Sequence, residues 1–249
     1  HSISTTAGAL LIINYAPITN SGVYSKGVKR QLPIVEMQVP LPVVRNTIEK
    51  RGTYDVTTAY NYSGFKVHQH RGLLGFEMVS AECNGTKVTN KITSWNTSFY
   101  QPQTIERTTQ TSNFITKEKT ENTYTSVSGI SKYALTKQTT TTTDIYNNIT
   151  TTEQHYSPSM AGLLTSTKTT LSDGSYSETK YNNYIKVGGI YQPRQVVTTR
   201  KHADDPNNFT TTENYTYNSV NGKLLTSECN GVKHTYTYDT YGNVLSHTT

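Results

Sequence analysis

The chain has 249 residues and a formal net charge of +6, and its 33% apolar content includes 19 tyrosines. Its basic residues are scattered, which excludes the clustered basic face of a nucleic-acid-binding surface, and no apolar stretch approaches the ~18–20 residues of a membrane-spanning helix. Two cysteines, Cys83 and Cys229, are too few for a disulfide framework or a zinc site. Threonine, tyrosine, valine and isoleucine favour the pleated surface of a sheet. The composition therefore predicts an all-β protein without a thick apolar core.

The first quarter of the chain predicts extended segments that are broken by proline and glycine. Ala9–Ile13 is a short, apolar strand candidate. The residues of Pro33–Val44 alternate between two faces, and the prolines lack the N–H that a central strand needs, so the segment belongs at a sheet edge or between strands. A polar connection is expected to follow it. Thr53–Tyr62 then predicts a strand that ends at Ser63-Gly64.

Two Asn-Gly pairs predict hairpin turns farther along the chain. Asn84-Gly85 and Asn230-Gly231 each separate two alternating segments, and both residue types tolerate the positive φ of a type I′ turn. Further threonine-rich strands are expected between them. No segment of ten or more residues has helical apolar spacing with caps, so helix should be almost absent.

Internal repeats organise the second half of the chain. Three pairs of segments recur in order, namely residues 147–153 with 207–213, 162–166 with 222–227, and 82–87 with 228–233. The first two pairs are spaced by about sixty residues, too long for one hairpin and suited to a sheet that grows by similar strand groups.

One repeat carries a recognisable motif. Tyr238-Asp239, separated by two residues from Gly242-Asn243, resembles the YD repeat, which builds the Rhs proteins and the teneurins. The other units keep the tyrosine and the turn without the aspartate.

A second block is similar to the middle region of the toxin-complex B component and of the Salmonella plasmid-virulence B-like proteins. These share a Tyr-x-Tyr element and an Arg-Gly-x-x-Gly-Phe element. The matching residues here are Tyr60, Tyr62, Gly64, Arg71, Gly72, Gly75 and Phe76. Together the two resemblances cover roughly residues 41–110 and 210–249, and the weaker repeats lie between them.

The resemblance implies YD-repeat antiparallel strands that form a curved, twisted sheet, a segment of a hollow β-shell. In the family such a shell encloses or presents a toxin or effector domain, or supports an extracellular adhesion surface. On this interpretation residues 1–52 are N-terminal extended or edge strands, and residues 53–249 are one continuous YD-repeat-like sheet. The chain begins without Met and ends on a repeat motif, so we expect a piece of a longer bacterial protein that is secreted or exposed on the cell surface.

Other candidate sites have plainer alternatives. His68-Gln69-His70 places two imidazoles on one strand face, as a metal site needs, but no acidic residue or cysteine is near in sequence. Asp204-Asp205-Pro206 offers carboxylates to calcium, yet it favours a polar turn. Cys83 and Cys229 occupy equivalent repeat positions and are expected to be buried thiols, with a disulfide as the alternative.

The repeated tyrosines either stack on sugars or pack within the sheet, and packing is the favoured prediction. They are Tyr60, Tyr62, Tyr215, Tyr217, Tyr236 and Tyr238.

No motif for a nucleophilic serine, a zinc protease or a phosphate-binding loop is present in the sequence. We therefore expect a structural segment that is not an enzyme, with no catalytic residue, metal or cofactor. The alternative is a carbohydrate-binding or cell-surface-binding β module. Expected partners are the neighbouring repeats and the effector domain of the same longer chain. A glycan or cell-surface protein belongs to the alternative, and nucleic acid is not expected. Open edge strands should lead the fragment to self-associate.

Overall fold

The computed structural model of the chain describes residues 2–4, 10–27, 32–127, 132–160 and 162–249. These residues form nineteen strands and no helix, which confirms the all-β prediction. None of the described segments is a helix long and apolar enough to span a membrane. The chain divides into two compact units, one comprising His1–Glu121 and Thr142–Asn147 and the other comprising Asn122–Thr141 and Asn148–Thr249.

The first unit contains ten strands, of which the last continues into the second unit. They are β1 (Ser2–Ser4), β2 (Leu10–Pro17), β3 (Tyr24–Ser25), β4 (Ile34–Glu36), β5 (Pro42–Arg51), β6 (Tyr54–His68), β7 (Gly72–Cys83), β8 (Thr86–Trp95), β9 (Pro102–Gln110) and β10 (Ile115–Val127). They pair antiparallel in the order β1-β2-β5-β6-β7-β8-β9-β10. The predicted boundary between residues 52 and 53 falls at the turn between β5 and β6, inside this unit, and stays a prediction.

The long strand β6 has different neighbours along its length. Strand β5 pairs with it only as far as Ala59. Beyond that point β3 pairs with it in parallel at Tyr62 and Ser63, and β4 pairs antiparallel along Lys66–His68. The second half of β6 is therefore covered by short segments that come from earlier in the chain.

Two sequence predictions in this region were wrong. Strand β6 does not end at Ser63-Gly64 but runs on to His68. Gly64, at a φ of +62°, marks a close approach of other groups and not a turn. The polar stretch that follows Val44 is likewise not a connection, because it lies within β5 and pairs with strands on both sides. Ladder pairing overrides its weak apolar pattern. Leu10–Ile13 does begin a strand, while Ala9 lies outside the described residues.

The apolar core of the first unit is small and lies where β2, β3, β5 and β6 meet. Its buried members are Ala16, Ile18, Val23, Tyr24, Val43 and Phe65. The ring of Phe76 packs on its margin, with its centroid 5.1 Å from that of Phe65 and 4.9 Å from that of Tyr62.

The second unit is a ladder of hairpins. After β11 (Lys132–Thr143) it contains β12 (Ile149–Ser157), β13 (Leu163–Thr170), β14 (Tyr176–Val187), β15 (Ile190–Lys201), β16 (Phe209–Tyr217), β17 (Leu224–Cys229), β18 (Val232–Tyr238) and β19 (Val244–Thr248). From β12 to β19 each strand pairs antiparallel with the next. Every described residue of β13 is half-buried, and in the described part of this unit Val187 is the one fully buried apolar side chain. The unit therefore has no thick core.

Candidate functional site

Asp239 closes the turn between β18 and β19 by accepting hydrogen bonds from the turn itself. Its Oδ1 atom lies 2.9, 2.6 and 2.8 Å from the backbone nitrogens of Tyr241, Gly242 and Asn243. Its Oδ2 atom accepts a further hydrogen bond from Asn243 Nδ2 at 2.9 Å. The side-chain amide of Asn243 and then the backbone N–H groups hold the pKa of Asp239 below its usual value. Gly242 has a φ of +100°, which favours glycine. The Tyr-Asp motif is thus a capped turn.

A capped turn of similar design recurs where aspartate is absent, with the glycine four or five residues after the acceptor instead of three. Asn218 Oδ1 accepts from the backbone nitrogens two and three residues later, at 2.9 and 3.1 Å. Ser157 Oγ accepts from the backbone nitrogen three residues later, at 3.3 Å. The N–H groups of Gly222 and Gly162, both at positive φ, donate to the carbonyl oxygens of Asn218 and Ser157, as Gly242 does to Asp239. Asparagine and serine therefore replace the aspartate without loss of the turn.

A β-bulge precedes each of these capped turns. In every case the pairing register shifts immediately before a tyrosine, at Tyr156, Tyr217 and Tyr238. A bulge interrupts the ladder and increases the local twist. The repeated unit therefore consists of a bulge, a tyrosine, a polar acceptor and a glycine.

Tyrosine hydroxyls also join neighbouring strands. Two of the donors, Tyr217 and Tyr238, follow bulges, whereas the hydroxyl of Tyr156 donates to Gln154. Among the described residues, four tyrosine O–H groups donate to a backbone carbonyl oxygen of the preceding strand in the chain of pairings, at 2.5 to 3.0 Å: Tyr62 to Val44, Tyr184 to Leu164, Tyr217 to Pro193, and Tyr238 to Leu224. We name these four hydrogen bonds the tyrosine clasps.

The clasps satisfy backbone groups at irregular points of the sheet. Val44, Leu164 and Leu224 each lie where the register of a strand pair shifts, and a buried carbonyl without a partner is costly. Burial raises the pKa of the clasp donors Tyr184 and Tyr217. These hydroxyls therefore stay protonated and can donate hydrogen bonds.

The remaining repeated tyrosines also make contacts within the sheet. The Tyr215 hydroxyl donates to Glu213, and the Tyr236 ring stacks on His247 at a centroid distance of 4.9 Å. Tyr60, like Tyr215 and Tyr236, is half-buried.

The Arg-Gly-x-x-Gly-Phe block forms the turn into β7 and the start of that strand. Arg71 donates through Nη1 to a backbone carbonyl oxygen at 2.9 Å and lies over the ring of Tyr100 at 5.2 Å. Gly72 and Gly75 have φ values of +81° and +101°. Phe76 packs at the core margin described above. These residues shape and anchor the β6–β7 hairpin.

A buried charge cluster, made of Glu36, Lys66 and Glu77, lies on the other face of the same strands. Lys66 has no solvent exposure, and its Nζ atom lies 3.4 Å from Glu36 Oε2 and 3.2 Å from Glu77 Oε2. Glu36 Oε1 accepts from Gly27 N–H at 2.7 Å and from the Tyr24 hydroxyl at 2.9 Å. Burial alone would raise the pKa of Glu36, but these two donors and the charge of Lys66 outweigh it and lower the pKa. Charges buried in this way are costly unless they are paired.

Gly64 makes room for this cluster. It lies between Ser63 and Phe65, which pair with Met78 and Phe76, and a Cβ atom at Gly64 would lie 2.7 Å from Glu77 Cβ. Gly27 approaches from the other side, where its own Cβ would lie 2.7 Å from Gly64 Cα. Glycine at position 64 is therefore explained by packing against a carboxylate.

His68-Gln69-His70 serves the backbone. His68 Nδ1 accepts hydrogen bonds from the backbone nitrogens of His70 and Arg71, both at 3.1 Å. Burial, followed by the charges of Arg71 and His70, lowers the pKa of His68. Among the residues that the structure describes, no group of three or more His, Cys, Asp or Glu is placed to hold a metal ion.

The predicted Asn-Gly pairs lie in two-residue hairpin turns. Both members have positive φ, at +49° and +74° for Asn84-Gly85 and +51° and +82° for Asn230-Gly231. Asp205 Oδ1 accepts from the Asn207 backbone nitrogen at 2.8 Å, so this acidic stretch forms a polar turn. Cys83 and Cys229 are free and half-buried.

An open cavity of about 600 Å³ in the second unit was not predicted from the sequence. It lies at the ends of β13 to β16, and its walls combine apolar and cationic residues, including Leu171, Tyr176, Arg200, Lys201, His202 and Phe209. These residues come from separate strands and carry no motif that sequence reasoning can find.

No protein-family profile matches the chain, and no curated protein matches it. The fold itself is shared with solved proteins. The chain is similar to the crystal structure of TcdB2-TccC3-TEV, a toxin-complex protein, with a TM-score of 0.54 over 94% of this chain at 8% sequence identity. The matched region is 18% of that chain. At this identity the likeness shows that the two share a fold.

Proposed function

We propose that this chain is a wall segment of an Rhs/YD-repeat shell that encloses or presents a toxin or effector domain, and that it has no catalytic activity of its own. The observation that carries the proposal is the joint of bulge, capped turn and tyrosine clasp, which is complete at Tyr217 and at Tyr238. The fold likeness to a toxin-complex protein supports it. On this proposal the parent protein is bacterial and is secreted or exposed at the cell surface.

The geometry suits a wall more than a globule. A globular domain buries one face of its sheet in a thick core, whereas the strands of the second unit are mostly half-buried. Their cohesion depends on ladder hydrogen bonds and on tyrosines such as Tyr217 and Tyr238, which have an apolar ring and a hydroxyl that finds a partner. Such a sheet can extend by the addition of hairpins.

The test is a cryo-EM structure of the full-length natural protein that contains this chain. We expect the segment to line an enclosed lumen, with further strands paired to the free side of β19. An added protease should then fail to cut the enclosed domain until the shell is opened. A full-length structure with no lumen, and with both faces of these strands open to bulk solvent, would refute the proposal.

Ligand binding is the second candidate function, and the cavity beside Arg200 and Phe209 supports it. Its mixed apolar and cationic walls suit an acidic glycan. A glycan array probed with this chain tests the idea, with Phe209→Ala as the cavity variant and Phe114→Ala, an exposed aromatic of the first unit, as the matched control. Binding that Phe209→Ala abolishes and Phe114→Ala preserves would favour a binding module, and an empty array would exclude it.

A further inference from the structure

We propose that Lys66 and Glu36 form an intramolecular amide bond that joins β6 to β4, with Glu77 as the group that moves the proton. The bond would form between Lys66 Nζ and the side-chain carboxyl carbon of Glu36. This site of covalent modification is separate from the proposed shell function, since it depends on the first unit alone.

The three side chains are already in reacting order. Glu36 and Lys66 are directly opposite each other in the β4–β6 ladder, and Nζ lies 3.4 Å from Glu36 Oε2. Side chains held in this way react as if at very high concentration, with effective molarities up to roughly 10⁵–10⁸ M for well-oriented pairs. Lys66 is fully buried, and the side chains of Glu36 and Glu77 are 10% and 8% exposed. Water therefore has little access to the reacting atoms.

Glu36 is the carboxyl group that the Lys66 amine attacks, because two hydrogen-bond donors hold one of its oxygens as an oxyanion hole holds a carbonyl oxygen. Oε1 receives Gly27 N–H at 2.7 Å and the Tyr24 hydroxyl at 2.9 Å, and such donors stabilise the negative charge that develops on attack. The Tyr24 hydroxyl is itself oriented by the Phe65 N–H at 3.0 Å. Oε2, on the side of Lys66, is the oxygen that leaves.

Glu77 is suited to carry the proton. In the described part of the chain its Oε2 atom is buried without a hydrogen-bond partner, although Lys66 Nζ lies 3.2 Å away. At this separation the two charges attract each other, and the ammonium protons are within reach of Glu77. A buried acceptor left in this state is costly and is a ready base for the ammonium group.

The reaction balances with the loss of one water molecule. Glu77 takes a proton from the Lys66 ammonium and passes it to Glu36 Oε2, so that the free amine faces a neutral carboxylic acid. The amine attacks the carboxyl carbon to form the C–N bond, and a second proton moves from the nitrogen through Glu77 to the same oxygen, which leaves as water. Two buried opposite charges become one neutral amide, which removes the desolvation cost of that pair and leaves Glu77 without the counter-charge of Lys66.

An exposed ion pair in the same chain provides an internal control. Lys137 and Glu153 approach more closely, at 2.6 Å, but their side chains are 37% and 35% exposed. Water solvates these groups, and in the described part of the chain the hydrogen bond to the Glu153 carboxylate comes from Lys137 alone. Proximity is therefore common to both pairs, whereas burial and oxyanion donors belong to the Glu36–Lys66 pair.

The experiment is intact mass spectrometry of the folded full chain after denaturation, followed by tandem mass spectrometry of its peptides. We expect a mass lower than the calculated mass by one water and a branched peptide that links Glu36 to Lys66. Lys66→Met and Glu77→Gln should restore the calculated mass, whereas Lys137→Met should keep the water loss. A wild-type chain that keeps its full calculated mass after prolonged folding overturns the proposal, as does a branch at Glu77. The wild-type mass decides the matter even where a variant fails to fold.

Discussion

Gly64→Ala offers a direct test of how the buried charge cluster is packed. Two penalties act at this position. The φ of +62° is left-handed backbone, which costs a residue with a Cβ about 1–2 kcal/mol. The new Cβ would also lie 2.7 Å from Glu77 Cβ and 3.0 Å from Glu77 Oε2, and overpacking of this kind costs about 1–3 kcal/mol. The expected loss in the free energy of unfolding is therefore about 2–5 kcal/mol.

Gly52→Ala is the matched control. Gly52 has nearly the same φ, +61°, but no heavy atom lies within 4 Å of the position its Cβ would take. It should lose only the backbone term, about 1–2 kcal/mol. The difference between the two variants isolates the steric contact with Glu77.

The assay is denaturant unfolding of the first unit. It is monitored by the fluorescence of the one tryptophan, Trp95, which is buried in that unit and can be excited selectively. Intact mass spectrometry shows whether the proposed amide bond between Lys66 and Glu36 has formed. Only variants in the same covalent state are then compared. Equal losses for Gly64→Ala and Gly52→Ala would refute the packing argument and leave position 64 as an ordinary left-handed residue.

Four further outcomes are expected. Tyr238→Phe removes a clasp and should cost about 0.5–1.5 kcal/mol in thermal unfolding, whereas Tyr241→Phe, at a site 91% exposed, should change nothing. Asp239→Asn should preserve the turn at neutral pH. Because the folded pKa of Asp239 lies below its unfolded value of 3.8, its contribution is present above that pH and is lost as pH falls through the folded pKa; the asparagine variant should lack this acid-dependent loss in a pH titration of stability. Gly231→Val should cost more than about 1 kcal/mol in denaturant unfolding, since φ is +82° there; a loss within error would contradict the turn. Light scattering across a concentration series should detect association through the exposed edge strand Val244–Thr248, and a strictly monomeric chain would count against it.

Local chemistry accounts for the parts of the fold that the sequence predicts well. Asn84-Gly85 and Asn230-Gly231 are turns because adjacent residues that tolerate positive φ leave few alternatives. Ser63-Gly64 carries the same kind of signal yet lies inside β6. In the sequence, a glycine required for a turn cannot be distinguished from a glycine required for close packing. The distinction needs the residue that packs against it, which is Glu77 in the case of Gly64.

The candidate sites show the same limit. Period-two alternation places Lys66 on a strand face, but nothing in the sequence links it to Glu36 and Glu77, which are on separate strands. Three of the four clasp tyrosines belong to the tyrosine pattern of the sequence, whereas Tyr184 was missed. The acceptors are backbone carbonyls, which leave no trace in residue identity. Asn218 shows that the capping role of Asp239 depends on an acceptor oxygen and not on a charge.

The tyrosine clasps have a direction. In each of them the donor belongs to the later strand in the chain and the acceptor to an earlier strand. Tyr62 donates to Val44 at the start of the series, and Tyr238 donates to Leu224 at its end. No clasp waits for a residue still to be synthesised. During synthesis, which proceeds from the N-terminus, each new strand can therefore pair with a strand that already exists. The contacts are local in sequence, so the loops to be closed are short. Because the donor lies on the later strand, a duplicated hairpin carries its own clasp tyrosine and needs only the backbone carbonyls of the edge strand before it. Such arrays can therefore lengthen by duplication during evolution.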